Sequence, residues 1–227
     1  MKSQSTTRWI DMKSPINHHN QEAGFTIVEL MIASVVFSVV LLLCTVGIIQ
    51  ISRTYYKGIT TTKTEQTARS VLDRISQSIQ FSGGTVTQTP SPDATRDQYF
   101  CINNELYSYH LGQELIDGPN YNHALVVTNA ACSGAQSLGT RSTPTGQELL
   151  SPNMRLAKLS VKSLGNNNLY RVTVRVVYGD DDLLLDQLAA NGSAGNDGVL
   201  DTCKGATAGA QFCAVSELST VVQKRTN

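Results

Sequence analysis

Glu29 is the one charged side chain in an otherwise apolar stretch that opens Gly24-Phe25-Thr26-Ile27-Val28-Glu29-Leu30 and runs to Ile51. A carboxylate near the start of an apolar helix costs a few kcal/mol and persists only where it finds a partner. Glu29 lies four residues after Phe25, one helical turn away. If the chain were cut between Gly24 and Phe25, the new α-ammonium would share a face with the Glu29 carboxylate. The partner then belongs to the same chain or to a neighbouring one, and an uncompensated charge becomes an ion pair.

The element that must carry this pair is a membrane helix. From Leu30 to Ile51 there are 22 consecutive residues without Asp, Glu, Lys, Arg or His. At 1.5 Å per residue they cover the roughly 30 Å of bilayer hydrocarbon. Ser34, Ser38, Thr45 and Gln50 are spread around the stretch, so it lacks the polar face of a soluble amphipathic helix. Residues 1–24 hold Lys2, Arg8 and Lys13 against Asp11 and Glu22, with no apolar core of their own, unlike a secretory signal peptide. Arg53, Lys57, Lys63 and Arg69 lie beyond the far end. They oppose a cytoplasmic N-terminus by the positive-inside rule, although long downstream domains cross largely regardless of charge.

Gly24-Phe25-Thr26-Ile27-Val28-Glu29-Leu30-Met31-Ile32-Ala33 resembles the class III signal of type IV pilins and of the pseudopilins of type II secretion. The resemblance implies cleavage after Gly24 by a membrane-embedded prepilin peptidase and N-methylation of Phe25. It also implies pairing of Glu29 with an N-terminal ammonium during filament assembly, and a leader on the cytoplasmic side. The organisation expected is a removed leader (1–24), a transmembrane and filament-core helix (25–51), an amphipathic half of the same helix (52–84) and an exported head (85–227). Within the leader, His18-His19 is given no metal role.

The amphipathic half reads from Ala68, Val71, Leu72, Ile75 and Ile79, an apolar stripe at three- and four-residue steps. Gly83-Gly84 is expected to end it, and Gly58 with Thr60-Thr61-Thr62 to bend or loosen its middle. A helix from Phe25 to Ser82 would be about 87 Å long. Residues 85–98, rich in Thr, Pro, Ser and Asp, read as a loop.

Strands follow. Tyr107, Tyr109 and Leu111 alternate with Ser108 and His110, and Ala124 to Val127 is a short buried run. Ser133 to Gln147 is polar and reads as loop. Ala157, Leu159 and Val161, then Tyr170, Val172, Val174, Val176 and Tyr178, alternate with polar residues on either side of Gly165-Asn166-Asn167-Asn168. This predicts an antiparallel hairpin whose apolar face is covered by the helix stripe. Gly179 to Phe212 reads as a loop, with a last strand through Val222. The fold class expected is α+β: a long N-terminal helix packed on a small antiparallel sheet, with a disulfide-tied C-terminal loop. In the pilin family a C-terminal region pinned in this way helps to set subunit contacts.

Cys44 falls in the apolar stretch, where a thiol packs without a partner. Cys101, Cys132, Cys203 and Cys213 fall in the exported part, where disulfides persist. Three connectivities are open; the local pairs Cys101–Cys132 and Cys203–Cys213 are favoured because short loops close most readily. No C-x-x-C is present for zinc. Asp180, Asp181, Asp182, Asp186, Asp197 and Asp201 offer hard oxygen donors, and Asn196-Asp197-Gly198 resembles a turn of a calcium loop. The full calcium-loop spacing is absent, so a solvated acidic loop is expected, with Asp180, Asp182, Asp197 and Asp201 as weak calcium candidates. Some pseudopilins that the chain resembles bind calcium in this part. Asn191-Gly192-Ser193 is read as a chance sequon.

Walker, G-x-S-x-G, H-E-x-x-H and G-x-G-x-x-G motifs are absent. His110 and His123 are read as structural, since the cysteines they might serve are eligible for disulfides. Eighteen basic and eighteen acidic residues balance, which leaves no electrostatic footprint for nucleic acid. Neither a catalytic role nor a cofactor is expected. The resemblance implies a structural subunit, a minor pilin. The alternatives are a type II secretion pseudopilin or a tip-located pilin that binds a ligand. The partners implied are prepilin peptidase, other pilin or pseudopilin subunits, an inner-membrane assembly platform and membrane lipid. The place implied is the bacterial inner membrane, single-pass with the head outside the cytoplasm, and then the filament.

Overall fold

The computed structural model describes residues 24–81, 86–88, 96–118, 121–165, 168–186, 198–205 and 209–225. The chain forms two units, one up to Gly47 and one from Ile48 onward. In the described part of the first, helix α1 (Ile27–Phe81) displays its apolar side chains outward. Ser34, Ser38 and Thr45 turn their hydroxyls onto main-chain carbonyls of the preceding turn, at 2.7–2.8 Å. The few polar groups are therefore satisfied inside the helix, as a surface facing lipid requires.

In the second unit α1 buries one side. Val71, Leu72, Ile75 and Ile79 of the apolar stripe are in the core, together with Ala68. Burial of each large side chain contributes about 1.5–3 kcal/mol. The stripe extends about two turns further back than its apolar residues suggest, because Thr60, Thr64 and Thr67 are buried as well. The helix runs through Gly58 and the threonines without a break. Thr64 donates to the Thr60 carbonyl at 2.8 Å, so a β-branched residue is accommodated by bonding back along its own helix. Gly83-Gly84 lies outside the described residues.

Among the described residues ten strands complete the unit: β1 (Val86–Gln88), β2 (Gln98–Ile102), β3 (Glu105–Tyr109), β4 (Leu125–Asn129), β5 (Gln147–Glu148), β6 (Met154–Ser163), β7 (Leu169–Tyr178), β8 (Leu184–Leu185), β9 (Thr202–Cys203) and β10 (Ala214–Gln223). They form an antiparallel sheet of order β1-β2-β3-β4-β5, a second of order β10-β7-β6, and the small pair β8-β9. The β6–β7 hairpin is the one the alternation predicts, with Val172 opposite Val161 and Val174 opposite Leu159. Asn103 and Asn104 form the two-residue turn between β2 and β3, and Asn103 takes φ 56°, the left-handed conformation that such turns demand.

Three expectations need correction. The 85–98 stretch is not all loop: β1 pairs with β2, Val86 opposite Ile102. Ser108, expected on a polar face, is fully buried, because a returning segment covers it; its Oγ accepts from the Gln136 N–H at 3.0 Å. The Gly179–Phe212 stretch contains two single-turn 3-10 helices, Asp181–Leu183 and Ala210–Phe212, and the β8–β9 pair. Each of these is too short to leave a periodic signal.

Disulfides join Cys101 to Cys132 and Cys203 to Cys213, both with Cα atoms 5.9 Å apart. The second closes a ten-residue separation, for which chain entropy gives about 3 kcal/mol. Replacing Cys203 and Cys213 together by Ser is expected to lower the stability of the head by about that amount. Urea unfolding of the variant measures it, and an unchanged midpoint would contradict the entropic account.

Candidate functional site

Gly24 and Phe25 precede the helix and are exposed, Phe25 to 88%. Thr26 is the N-cap: its carbonyl accepts the first helical bond, from the Leu30 N–H at 3.2 Å. The Thr26 N–H and hydroxyl both donate to Glu29 Oε2 at 2.9 Å, and the Glu29 N–H returns a bond to Thr26 Oγ1 at 3.2 Å. This is a capping box, the reciprocal T-x-x-E arrangement. It holds the carboxylate at the helix N-terminus, where the helix dipole favours negative charge. One oxygen is consumed in this way. Among the described residues Oε1 makes no hydrogen bond.

Sequence reasoning does not single out Thr26, although its signal stands in the sequence as threonine three residues before the acid. Cleavage after Gly24 would leave the Thr26 N–H and hydroxyl unchanged, so the box is compatible with processing. A new ammonium at Phe25 would stand one residue outside the cap, and Oε1 would remain available to it or to that of a neighbour.

The other site residues fall elsewhere. Cys101, Cys132, Cys203 and Cys213 are in the two disulfides, and Cys44 is free and exposed on α1. Asp201 is 2% exposed, and Arg175 donates to its Oδ2 at 3.2 Å, while the same guanidinium pairs with Glu217. It is thus the partner of an arginine and not part of a solvated loop. Asp180 and Asp182 are exposed, and Asp197 lies outside the described residues. Among the described residues no three His, Cys, Asp or Glu side chains come together as a metal would need.

His110 and His123 each meet a carboxylate, Nδ1 of the first 3.0 Å from Asp97 and Nδ1 of the second 3.4 Å from Glu148. Among the described residues neither ring hydrogen-bonds to a hydroxyl or thiol. Glu148 accepts the main-chain N–H groups of Ala124, Leu125 and Leu150 at 3.0–3.2 Å, closing the end of β4. Burial pushes its carboxyl above the usual range despite these bonds. An acid whose folded pKa is raised contributes stability below its unfolded pKa and loses it as pH rises through the folded value. Native protein should therefore lose stability relative to Glu148→Gln between pH 4 and pH 7, in paired urea titrations; parallel pH profiles would contradict the buried-acid account.

Sequence reasoning also missed the polar lock between α1 and β3. Arg74 and Ser78 on the helix bind the Glu105 carboxylate, and the Tyr107 hydroxyl lies 2.7 Å from Ser78 Oγ and 2.9 Å from Glu105 Oε2. Its contacts between helix and strand join residues 27 to 31 positions apart, and no local pattern announces them.

A family model, the prokaryotic N-terminal methylation motif, matches residues 19–45, a span that includes Gly24, Phe25 and Glu29. No curated protein and no solved structure matches the chain. The motif and the apolar helix together fit membrane anchoring.

Proposed function

We propose that this chain, by its N-terminal methylation motif a member of the type IV pilin and pseudopilin family, is a minor pilin: a structural subunit cleaved between Gly24 and Phe25, N-methylated at Phe25 and incorporated into a type IV pilus. The observation that carries the reading is the carboxylate of Glu29 inside the matched motif, held at the start of a helix whose apolar side chains are exposed. Before assembly those side chains lie in the inner membrane, with the leader on the cytoplasmic side and the head outside. In the filament they pack against the same segments of other subunits, so apolar surface passes from lipid to protein with little change in solvation. The carboxylate supplies what apolar packing lacks, a preferred register. Its ion pair forms only where an N-terminal ammonium comes level with it.

The partners follow from this sequence of events. Prepilin peptidase makes the cut and the methyl transfer, an inner-membrane platform lifts the subunit out of lipid, and other pilins receive it. The head, stabilised by two disulfides, is the part that the filament presents. Intact-mass and N-terminal analysis of protein from the native membrane and from sheared filaments tests the reading. The result expected is one mature chain beginning at N-methylated Phe25 in both fractions. A chain beginning at Met1 would leave an ordinary membrane anchor, and a mature chain missing from purified pili would move the subunit to another filament.

A further inference from the structure

Past Ile51, the end of the apolar run, α1 carries Arg53, Tyr55, Tyr56 and Lys57, all exposed. The C-terminal part of the head meets the helix here. The Tyr56 and Phe212 rings are 5.5 Å apart. Lys57 Nζ donates to the Cys213 carbonyl at 2.5 Å and lies 3.4 Å from that of Ala210. The Thr60 hydroxyl is 3.1 Å from the Gln211 carbonyl. The Cys203–Cys213 disulfide carries Lys204 to the same place, where its Nζ donates to the Asp182 carbonyl at 2.6 Å. Between helix and loop lies a cleft of about 980 Å³ whose charged lining residues, among the described residues, are Arg53, Lys57 and Lys204. Arg53, Lys57 and Lys204, from two distant parts of the sequence, line one open cleft; the Lys57 and Lys204 ammoniums each hold a main-chain carbonyl, and the positive charge of all three favours an anion there.

The aromatic groups define the kind of anion. Tyr55 is 65% exposed and Phe212 43% exposed, an arrangement without purpose for a soluble phosphate but typical of rings at a membrane surface. At 1.5 Å per residue Arg53 stands about 3 Å, Tyr55 about 6 Å and Lys57 about 9 Å beyond Ile51. The headgroup layer on each side of the hydrocarbon is about 5–7 Å thick, so Arg53 and Tyr55 fall within it and Lys57 stands just past its outer edge. An apolar groove of about 880 Å³, lined by Ile51, Tyr55 and Ile59, adjoins the cleft through Thr54, Gly58 and Thr62, which line both.

We propose that this cleft seats the phosphate of an anionic phospholipid, with Tyr55, Tyr56 and Phe212 at headgroup level. The disulfide-tied C-terminal loop is then a membrane-facing element, which holds the head on the bilayer while the subunit awaits extraction. The inference rests on the reading of Leu30–Ile51 as a bilayer span, and goes beyond that reading in giving the head its own lipid contact.

The test uses the full chain reconstituted in vesicles of phosphatidylcholine alone or of phosphatidylcholine with phosphatidylglycerol. The readout is amide hydrogen exchange over 203–205 and 209–213, with β6–β7 as an internal record of folding. Phosphatidylglycerol is expected to slow exchange in the loop about tenfold, and Arg53→Glu with Lys204→Glu to abolish the effect while β6–β7 stays protected. Equal exchange in the two vesicles, or slowing that survives both substitutions, would overturn the proposal. Inorganic phosphate giving the same protection in phosphatidylcholine alone would assign the cleft to a soluble anion and likewise overturn it. Flotation of the samples separates the two readings: a chain that floats with both vesicles but shows no lipid-dependent exchange leaves the span intact and removes only the headgroup seat. One that floats with neither removes both.

Discussion

Glu29→Leu is expected to leave cleavage after Gly24 intact and to reduce the amount of this subunit in sheared pili about 100-fold. In the proposed assembly, the Phe25 ammonium of one chain enters an apolar environment opposite the Glu29 carboxylate. Removing the acid leaves the cation without its partner, at a cost of roughly 2.5–3.5 kcal/mol, and each 1.4 kcal/mol is tenfold. The substitution also removes the acceptor of the Thr26 N–H and hydroxyl bonds, which a lost cap values at about 1 kcal/mol. Glu29→Gln separates the two effects, since the amide oxygen can still complete the capping box while carrying no charge. If charge pairing drives incorporation, Gln behaves like Leu. Incorporation of the Gln variant at the native level would show that the carboxylate serves only as a cap, and the register argument would fall.

The second large effect is expected at the lock between helix and sheet. Tyr107 is fully buried, stacked on Phe100 with ring centroids 4.6 Å apart and planes within 7°. Tyr107→Ala should cost about 3–5 kcal/mol, as large aromatic truncations in cores do. Tyr107→Phe keeps the stack but removes the hydroxyl from Ser78 and Glu105. Because one of those bonds goes to a carboxylate, the loss should be about 1.5–3 kcal/mol. The two variants also differ from native in alkaline solution. Burial holds the Tyr107 hydroxyl well above the usual tyrosine range, so its contribution is complete below pH 10 and declines as pH rises beyond it. Denaturant titrations at pH 8 and pH 10.5 should therefore show a smaller gap between native and Tyr107→Phe at the higher pH. A gap that does not change would mean that the hydroxyl is not in the buried network.

Both predictions concern residues of different legibility. Glu29 stands out from sequence because every neighbour is apolar, and a capping threonine three residues earlier completes a local motif. The stripe Ala68 to Ile79 and the β6–β7 hairpin are likewise written in periods of 3.6 and 2. Glu105 and Tyr107 carry no such mark. Their pattern fits a strand, but that the acid is met by Arg74 and Ser78 depends on where α1 lies against β3. Asp201 is a sharper case: among other Asp, Asn and Gly residues it reads as a loop oxygen, and a guanidinium 26 residues earlier makes it half of a buried ion pair.

Local order alone is enough for the N-terminal methylation motif, the apolar span, the helix stripe and the main hairpin. In each of these, a residue's role depends on neighbours a few positions away, and the periodicity of the backbone makes those neighbours visible. Tertiary structure alone decided the partners of Glu105, Arg155 and Asp201, the strand in the 85–98 stretch, and the convergence of Arg53, Lys57 and Lys204 with Phe212 on one cleft. Arg155 shows the reason. On β6 its side chain is 3% exposed, a placement that charge alone argues against, and it is tolerated because Asp181 and Glu114, 26 and 41 residues away, arrive at 2.6 and 3.2 Å. The stability of a buried charge depends on partners brought in by the fold, and pairings over such separations leave no trace in local order.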